Sequence, residues 1–355
     1  MGRRVLITGL GSFWGGRVAM AMEADPSVEV IVGVDTHEPT HRLERTEFVR
    51  ADQNYSILSR IVDAAQIETI LHTFLQVDST ATSGRALHET NVIGTMNLLA
   101  ACSSANTSVR HVVVKSSTMV YGASSQDPVW FRENMRRRTT PKTRVERSLV
   151  EVEGYLRDYA EDNPHVNVTL LRFSNVLGTD VTTPISRLLQ LPMVPAIAGF
   201  DPRLQFVHED DVVRSLTFVV DNELGGVFNV AGDGLLPWSE VAALCGKRLL
   251  HIPFLGADWL AAALRGLRVF DIPEETEAVL RYGRGVDNRR LKQAGFRYHY
   301  TSAGAVDAFS QADRLNRSVG TRHPGYKYEQ DVENFFRHSP AVVRHNDLAS
   351  RPPTS

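Results

Sequence analysis

Short runs of aliphatic and β-branched residues alternate with stretches of helical periodicity through the first half of the chain. Arg4–Ile7, Glu29–Val34, Thr69–His72 and His111–Lys115 read as strands buried on both faces. Trp14–Glu23 and Ser56–Ala65 read as the helices that cross between them. A further helix is expected over about Lys142–Asp162, followed by a strand at Val166–Leu171. Within that helix Val145, Leu149, Val152, Leu156 and Tyr159 share one apolar face. Strands separated regularly by helices predict an α/β fold with a doubly wound parallel sheet.

From about Thr179 the pattern loosens and Pro and Gly become frequent, which predicts a smaller α+β lobe. The expected organisation is a large domain over 1–178, with later segments returning to it, a lobe over 179–315, and an extension over 316–355 that is mobile from about Ser339. Residues 257–270 (ADWLAAALRGLRVF) read as an apolar helix. Packing in the core or against a second subunit is favoured over a membrane anchor. Ser239 is placed to cap the helix that follows it.

Charge narrows the partners. The 355 residues carry a formal net charge of −2, so no basic field points to nucleic acid. No apolar run reaches the ~18 residues of a membrane span, and a strand pattern by residue 4 leaves no room for a signal peptide. Cys102 and Cys245 are far apart and not in metal-ligand spacing, which fits a reducing, cytoplasmic setting and no metal site.

The segment VLITGLGSFWGGRVA runs strand, glycine turn, helix. Gly9, Gly11 and Gly15 stand where a turn bends sharply and lets a pyrophosphate approach a helix N-terminus, with Ser12, Phe13 and Trp14 in the same turn. Asp35 ends the next strand, about 20 residues later, where a carboxylate accepts hydrogen bonds from ribose hydroxyls and repels a 2′-phosphate. Glycines, flanking elements and acid together indicate a Rossmann-type site for NAD rather than NADP.

From here the chain resembles the extended short-chain dehydrogenase/reductase family, the NAD-dependent epimerases and dehydratases typified by UDP-galactose 4-epimerase. The likeness runs over roughly residues 3–315. The family turn is Thr-Gly-x-x-Gly-x-x-Gly; this chain keeps Thr8, Gly9 and Gly15 but carries Ser12 at the middle glycine, where a positive φ would bring strain. FVRADQNY is similar to the segment whose Asp, here Asp52, meets the adenine edge. HETNVIGTMNLLAAC is similar to the helix that supplies a polar group, here Asn91, near the site. VVVKSSTMVYG resembles the turn that presents the catalytic hydroxyl, which points to Ser117. LLRFSNVLG resembles a substrate-lining segment and marks Arg172 and Asn175. LQFVHEDDVV, GGVFNVAGDG and VDNRRLKQAGF continue the resemblance in order. It implies NAD as cofactor, a small-molecule substrate of the nucleotide-sugar type, and pairing into a homodimer through helices that include 142–162.

The departures fall on the chemistry. The family's acid/base is a Tyr four residues before a Lys, yet no tyrosine lies between Tyr121 and Tyr155. Counting back from Arg172 puts Glu153 on a family Glu, Val145 on the Tyr and Leu149 on the Lys. Counting forward from Ser117 puts Lys142 and Glu146 near those places. Lys142 and Glu146 read most simply as a solvated i,i+4 pair, and the basic run RENMRRRTTPKTR as a solvated loop. Lys115 shares Ser117's face of its strand. The Arg that pairs with a substrate diphosphate is replaced by Leu204, with Arg203 one residue away on the opposite face. Three readings stay open: an enzyme with altered acid/base groups, a non-catalytic NAD(H)-binding protein for regulation or assembly, and a reductase of an apolar substrate.

Overall fold

Val5, Leu6 and Ile7 form the solvent-free centre of the first strand, β1 (Arg3–Thr8). In the computed structural model, which describes residues 2–79, 83–103, 107–252 and 274–319, six more strands join it. They are β2 (Val28–Asp35), β3 (Thr46–Arg50), β4 (Thr69–His72), β5 (His111–Ser117), β6 (Asn167–Phe173) and β11 (Gly226–Val230). All pair in parallel, in the order β11-β6-β5-β4-β1-β2-β3. The chain winds outward from β1 in one direction and then resumes at β4 on the other side. The crevice beyond the ends of β1 and β4 is therefore the switch point where such sheets bind ligands.

Alternation along the strands builds a core on each face. Leu6, Ile70, Val112 and Val114 meet helices α2 (Tyr55–Ala64), α4 (Gly94–Cys102) and α5 (Arg144–Asp162). Ile7, Leu71 and Val113 meet α1 (Phe13–Glu23) and α7 (Glu209–Asp221). Helix α5 begins at a capping box in which Thr143 Oγ1 accepts from Glu146 N at 3.1 Å, and it buries the expected stripe Val145, Leu149, Val152, Leu156 and Tyr159. A short helix α3 (Gly84–His88) leads through a π turn, Glu89–Ile93, into α4.

A third core gathers segments from Leu177 onward, including α6 (Pro184–Gln190), α8 (Trp238–Leu244) and the start of α11 (Ser302–Val319). Around it lie small two-stranded pairs: β7 (Asn175–Leu177) with β10 (Phe206–His208), β8 (Met193–Ile197) with β13 (Arg248–Ile252), and β9 (Arg203–Leu204) with β12 (Leu236–Pro237). Helices α9 (Glu274–Tyr282) and α10 (Arg289–Gln293) complete the described elements. Residues 1–310 pack as one unit; of the second, 311–355, the described residues continue α11 to Val319. The helix expected over 257–270 and the tail from Ser339 lie outside the described residues.

Two local expectations are corrected. Ser239 does not cap α8, which starts one residue earlier; the Asp201 carboxylate instead accepts from Ser239 N at 2.9 Å and Ser239 Oγ at 2.6 Å. Glu146 is buried rather than solvated, because the helix start needs an acceptor: its Oε2 takes Lys142 N and Arg137 Nη2, both at 2.9 Å. That contact also draws Arg137 out of the solvated run. Among the described residues no helix is long and apolar enough to cross a membrane.

Candidate functional site

Helix α1 points its N-terminus at the switch point, and the glycine turn sets how closely another molecule can approach. Gly9 adopts φ +81°, a region L side chains avoid, and a Cβ on Gly15 would stand 2.1 Å from Gly9 O. Ser12, in contrast, sits at φ −73° without strain. Its hydroxyl donates to Gly9 O at 2.6 Å and accepts from Gly15 N at 3.1 Å. Ser12 thus caps the helix and uses one of its free N–H groups. The N–H groups of Phe13 and Trp14 keep no partner among the described residues and, with the helix dipole, make an anion seat.

The end of β2 supplies the acid. Asp35 Oδ2 accepts from Gly11 N at 3.0 Å and Oδ1 from His37 N at 3.1 Å, so the carboxylate is anchored with lone pairs to spare. Asp35 and Asp52 line one cleft of about 340 Å³ with Phe74, Gln53 and Asn97. Glycine turn, free N–H pair and anchored carboxylate together fit a dinucleotide with an unphosphorylated ribose.

Across the switch point Trp14, Ser117, Thr118 and Asn175 line a second cleft of about 150 Å³. Ser117 ends β5 and caps the following 3₁₀ turn (Thr118–Tyr121), accepting from Met119 N at 3.2 Å. Asn175 Nδ2 donates to Gln205 O at 2.9 Å, which holds the cleft wall. Two cations also line this cleft: Lys115, which the sequence placed on Ser117's strand face, and Arg284, which it did not single out. Lys115 is buried, with its Nζ 5.4 Å from the Trp14 ring centroid, and burial pushes its pKa down to about 8. Arg284 is buried where Gly283 packs on β9; its backbone N donates to Arg203 O at 3.1 Å and its Nη1 to Gly122 O at 3.1 Å. Lys115 had a signal in the period-2 alternation with Ser117. Arg284 had none, because a bridge to Leu204 across about 80 residues brings it in.

Other expected residues stand behind the clefts. Asn91, on the π turn, is fully buried. It accepts from Gln76 N at 2.8 Å and donates to Gln76 O at 2.9 Å and Ser148 Oγ at 3.1 Å, pinning the loop after β4 to α5. Arg172 donates to Glu153 and, from Nη1, to Tyr121 Oη at 2.7 Å, and Ser116 Oγ donates to the same Glu153 at 2.7 Å. This network braces the Ser117 turn from beneath. Arg203 is exposed while Leu204 is buried. Val145 and Leu149 are both wholly buried in the core beneath α5.

Fold and site together define a doubly wound α/β protein with a dinucleotide cleft beside a smaller cleft that carries Ser117 and two buried cations. A family model described as the NAD dependent epimerase/dehydratase family matches residues 5–231. An uncharacterized protein of Mycobacterium tuberculosis is 33% identical over 311 residues, covering 86% of this chain and 82% of the relative. A UDP-glucose 4-epimerase of Erwinia amylovora is 27% identical over 186 residues, 49% of this chain and 53% of its own. Among solved structures, MoeE5 in complex with UDP-glucuronic acid and NAD is similar with a TM-score of 0.67 at 22% identity, covering 88% of this chain and 99% of that one. The UDP-glucose 4-epimerase of Thermus thermophilus in complex with NAD is similar with a TM-score of 0.67 at 18% identity, covering 88% and 99%. The chain belongs to the NAD dependent epimerase/dehydratase family, whose cofactor is NAD.

Proposed function

We propose that this chain binds NAD across the sheet edge and acts on a small molecule of the nucleotide-sugar type in the Ser117 cleft, with Val145 and Leu149 in place of the family's Tyr and Lys. The observation that carries the reading is the contiguity of an intact dinucleotide seat and a Ser117 cleft through one residue, Trp14, which belongs to both. NAD, when bound, supplies a hydride acceptor. Asp35 and Asp52 would hold its adenosine end, and the N–H groups of Phe13 and Trp14, with the Gly9, Gly11 and Gly15 turn, its pyrophosphate. The Ser117 hydroxyl would orient the substrate oxygen, with Asn175 beside it. Arg284 takes the place given to Arg203, and Arg172 supports the site through Glu153 and Tyr121. Since neither Val nor Leu moves a proton, the ordinary family activity is expected to be weak or altered.

The test is rapid mixing of NAD-loaded protein with UDP-glucose or UDP-glucuronate, following nicotinamide reduction. Slow reduction that falls about 100-fold in Ser117→Ala supports the reading. NAD that binds but is never reduced supports instead a non-catalytic NAD(H)-binding protein. That second reading is favoured by the complete burial of Val145 and Leu149 in an apolar stripe.

A further inference from the structure

Lys115 is an unusual residue to bury. It is 5% exposed, and its amine makes no hydrogen bond or ion pair among the described residues; its contact is the face of Trp14. A buried ammonium without a carboxylate is costly, by several kcal/mol in an apolar setting. A plain structural role would be served by an aliphatic side chain, as it is at Val113 on the same strand face. The amine sits where the end of β5, Lys115 to Ser117, lines the cleft.

Apart from the Trp14 ring, the surroundings among the described residues offer it no compensating charge. Of the charged groups around the cleft, Asp78 pairs with Arg187 at 2.7 Å, and Glu275 accepts from Ser79 N and Oγ at 2.9 Å each. Arg284 donates to Gly122 O. On β4, His72 is tied to Thr8 and Thr95 and is kept uncharged by burial and by Lys115 itself. Helix α7, packed on the same face of the sheet, sends Glu209 to the Thr179–Val181 backbone, Asp210 to Arg17 and Asp211 to Arg214. Nothing in this set fixes the proton on Lys115.

We infer that Lys115 is a catalytic acid/base of this chain, its amine taking over the proton transfer that Val145 and Leu149 cannot perform. Lys115 and Ser117 lie two residues apart on one strand face, about 6.6 Å along the strand, a gap the four-carbon lysine stem spans. As neutral amine, Nζ accepts the hydroxyl proton of a substrate carbinol positioned by Ser117. With NAD bound, the carbinol C–H electron pair would leave as hydride to the nicotinamide, the C–O bond would become a carbonyl, and Lys115 would become an ammonium. In the reverse direction the ammonium returns the proton. The burial that lowers its pKa to about 8 keeps a usable fraction of each form near neutrality. This assignment rests on the functional reading above.

The test separates the two. First, acetic anhydride pulse labelling across pH, read by mass spectrometry, compares Lys115 in the folded protein with Lys115 in the urea-unfolded chain. The expected midpoint is about 8 in the folded protein, against the ordinary lysine value of about 10.4, with NADH slowing the labelling. Second, Lys115→Arg keeps a cation but cannot release a proton near neutral pH. It and Lys115→Met should lose nicotinamide reduction by UDP-glucose or UDP-glucuronate about 100-fold or more while keeping NADH affinity in calorimetry. Reduction that persists in Lys115→Arg, or an ordinary labelling midpoint, overturns the role of Lys115 and leaves the functional reading standing. Wild-type protein that fails to bind NADH, or binds it and reduces no NAD with either sugar nucleotide, overturns both.

Discussion

Arg172 and Glu153, 19 residues apart, close a buried ion pair in which the guanidinium Nε lies 3.0 and 3.1 Å from the two carboxylate oxygens. The pair ties β6 to α5 directly beneath the turn that carries Ser117. Glu153→Gln leaves the Arg172 charge buried without its counterion and should destabilise the fold by about 3–5 kcal/mol. Urea denaturation measures this. Replacing both residues, Glu153→Leu with Arg172→Met, is expected to be milder than either single change, because no unpaired charge remains.

Lys115 should make stability depend on alkaline pH. Its folded value, about 8, lies below the ordinary 10.4 of an unfolded chain. Below pH 8 the folded state bears the full penalty of the buried ammonium. As pH rises from 8 to 10.4 the folded amine is neutral while the unfolded one is still charged, so the penalty fades. Lys115→Met should therefore be the more stable protein at neutral pH by up to about 3 kcal/mol. The difference, followed by denaturation at several pH values, should close through that window.

His72 works in the acid range with the same sign, since it too is a base that burial disfavours in its charged form. Burial, with Lys115 nearby, pushes its pKa down to about 4, from an ordinary value of about 6.5. The unfolded chain takes up the proton first, so stability should fall as pH drops from 6.5 to 4, by up to about 3 kcal/mol. Thermal melts of His72→Gln should lose that segment of the pH dependence. A wild-type profile flat across it would contradict the assignment.

Restoring the family pair should not restore a family enzyme in one step. Val145 and Leu149 are wholly buried beside Val152 and Leu156. Tyr and Lys there would overpack the core and bury an amine. Val145→Tyr with Leu149→Lys should destabilise by at least about 3 kcal/mol, measured by chemical denaturation before any activity is read.

The sheet, the glycine turn and the α5 stripe were legible because each is written in local periodicity: period two in β5, helical spacing from Val145 to Tyr159, glycines before α1. Whether Ser12 strains the turn was open in the sequence; it does not, because a serine can cap a helix at ordinary φ and the turn tolerates its Cβ. Arg172 and Asn91 carry the family pattern, but their partners, Glu153 and Gln76, come from other elements and draw them out of the cleft. Arg284 and the burial of Arg137 were illegible for the same reason, since contacts across the fold make both and no spacing announces them. Lys115 lay between: its strand face could be read, its lack of a partner could not.

We place NAD on Gly9, Gly15 and Asp35, and calorimetric titration with NADH and NADPH is the decisive measurement. Saturable NADH binding is expected, with NADPH at least about tenfold weaker (about 1.4 kcal/mol) and that preference lost in Asp35→Ala. Absence of NADH binding, or tighter binding of NADPH, would contradict that placement.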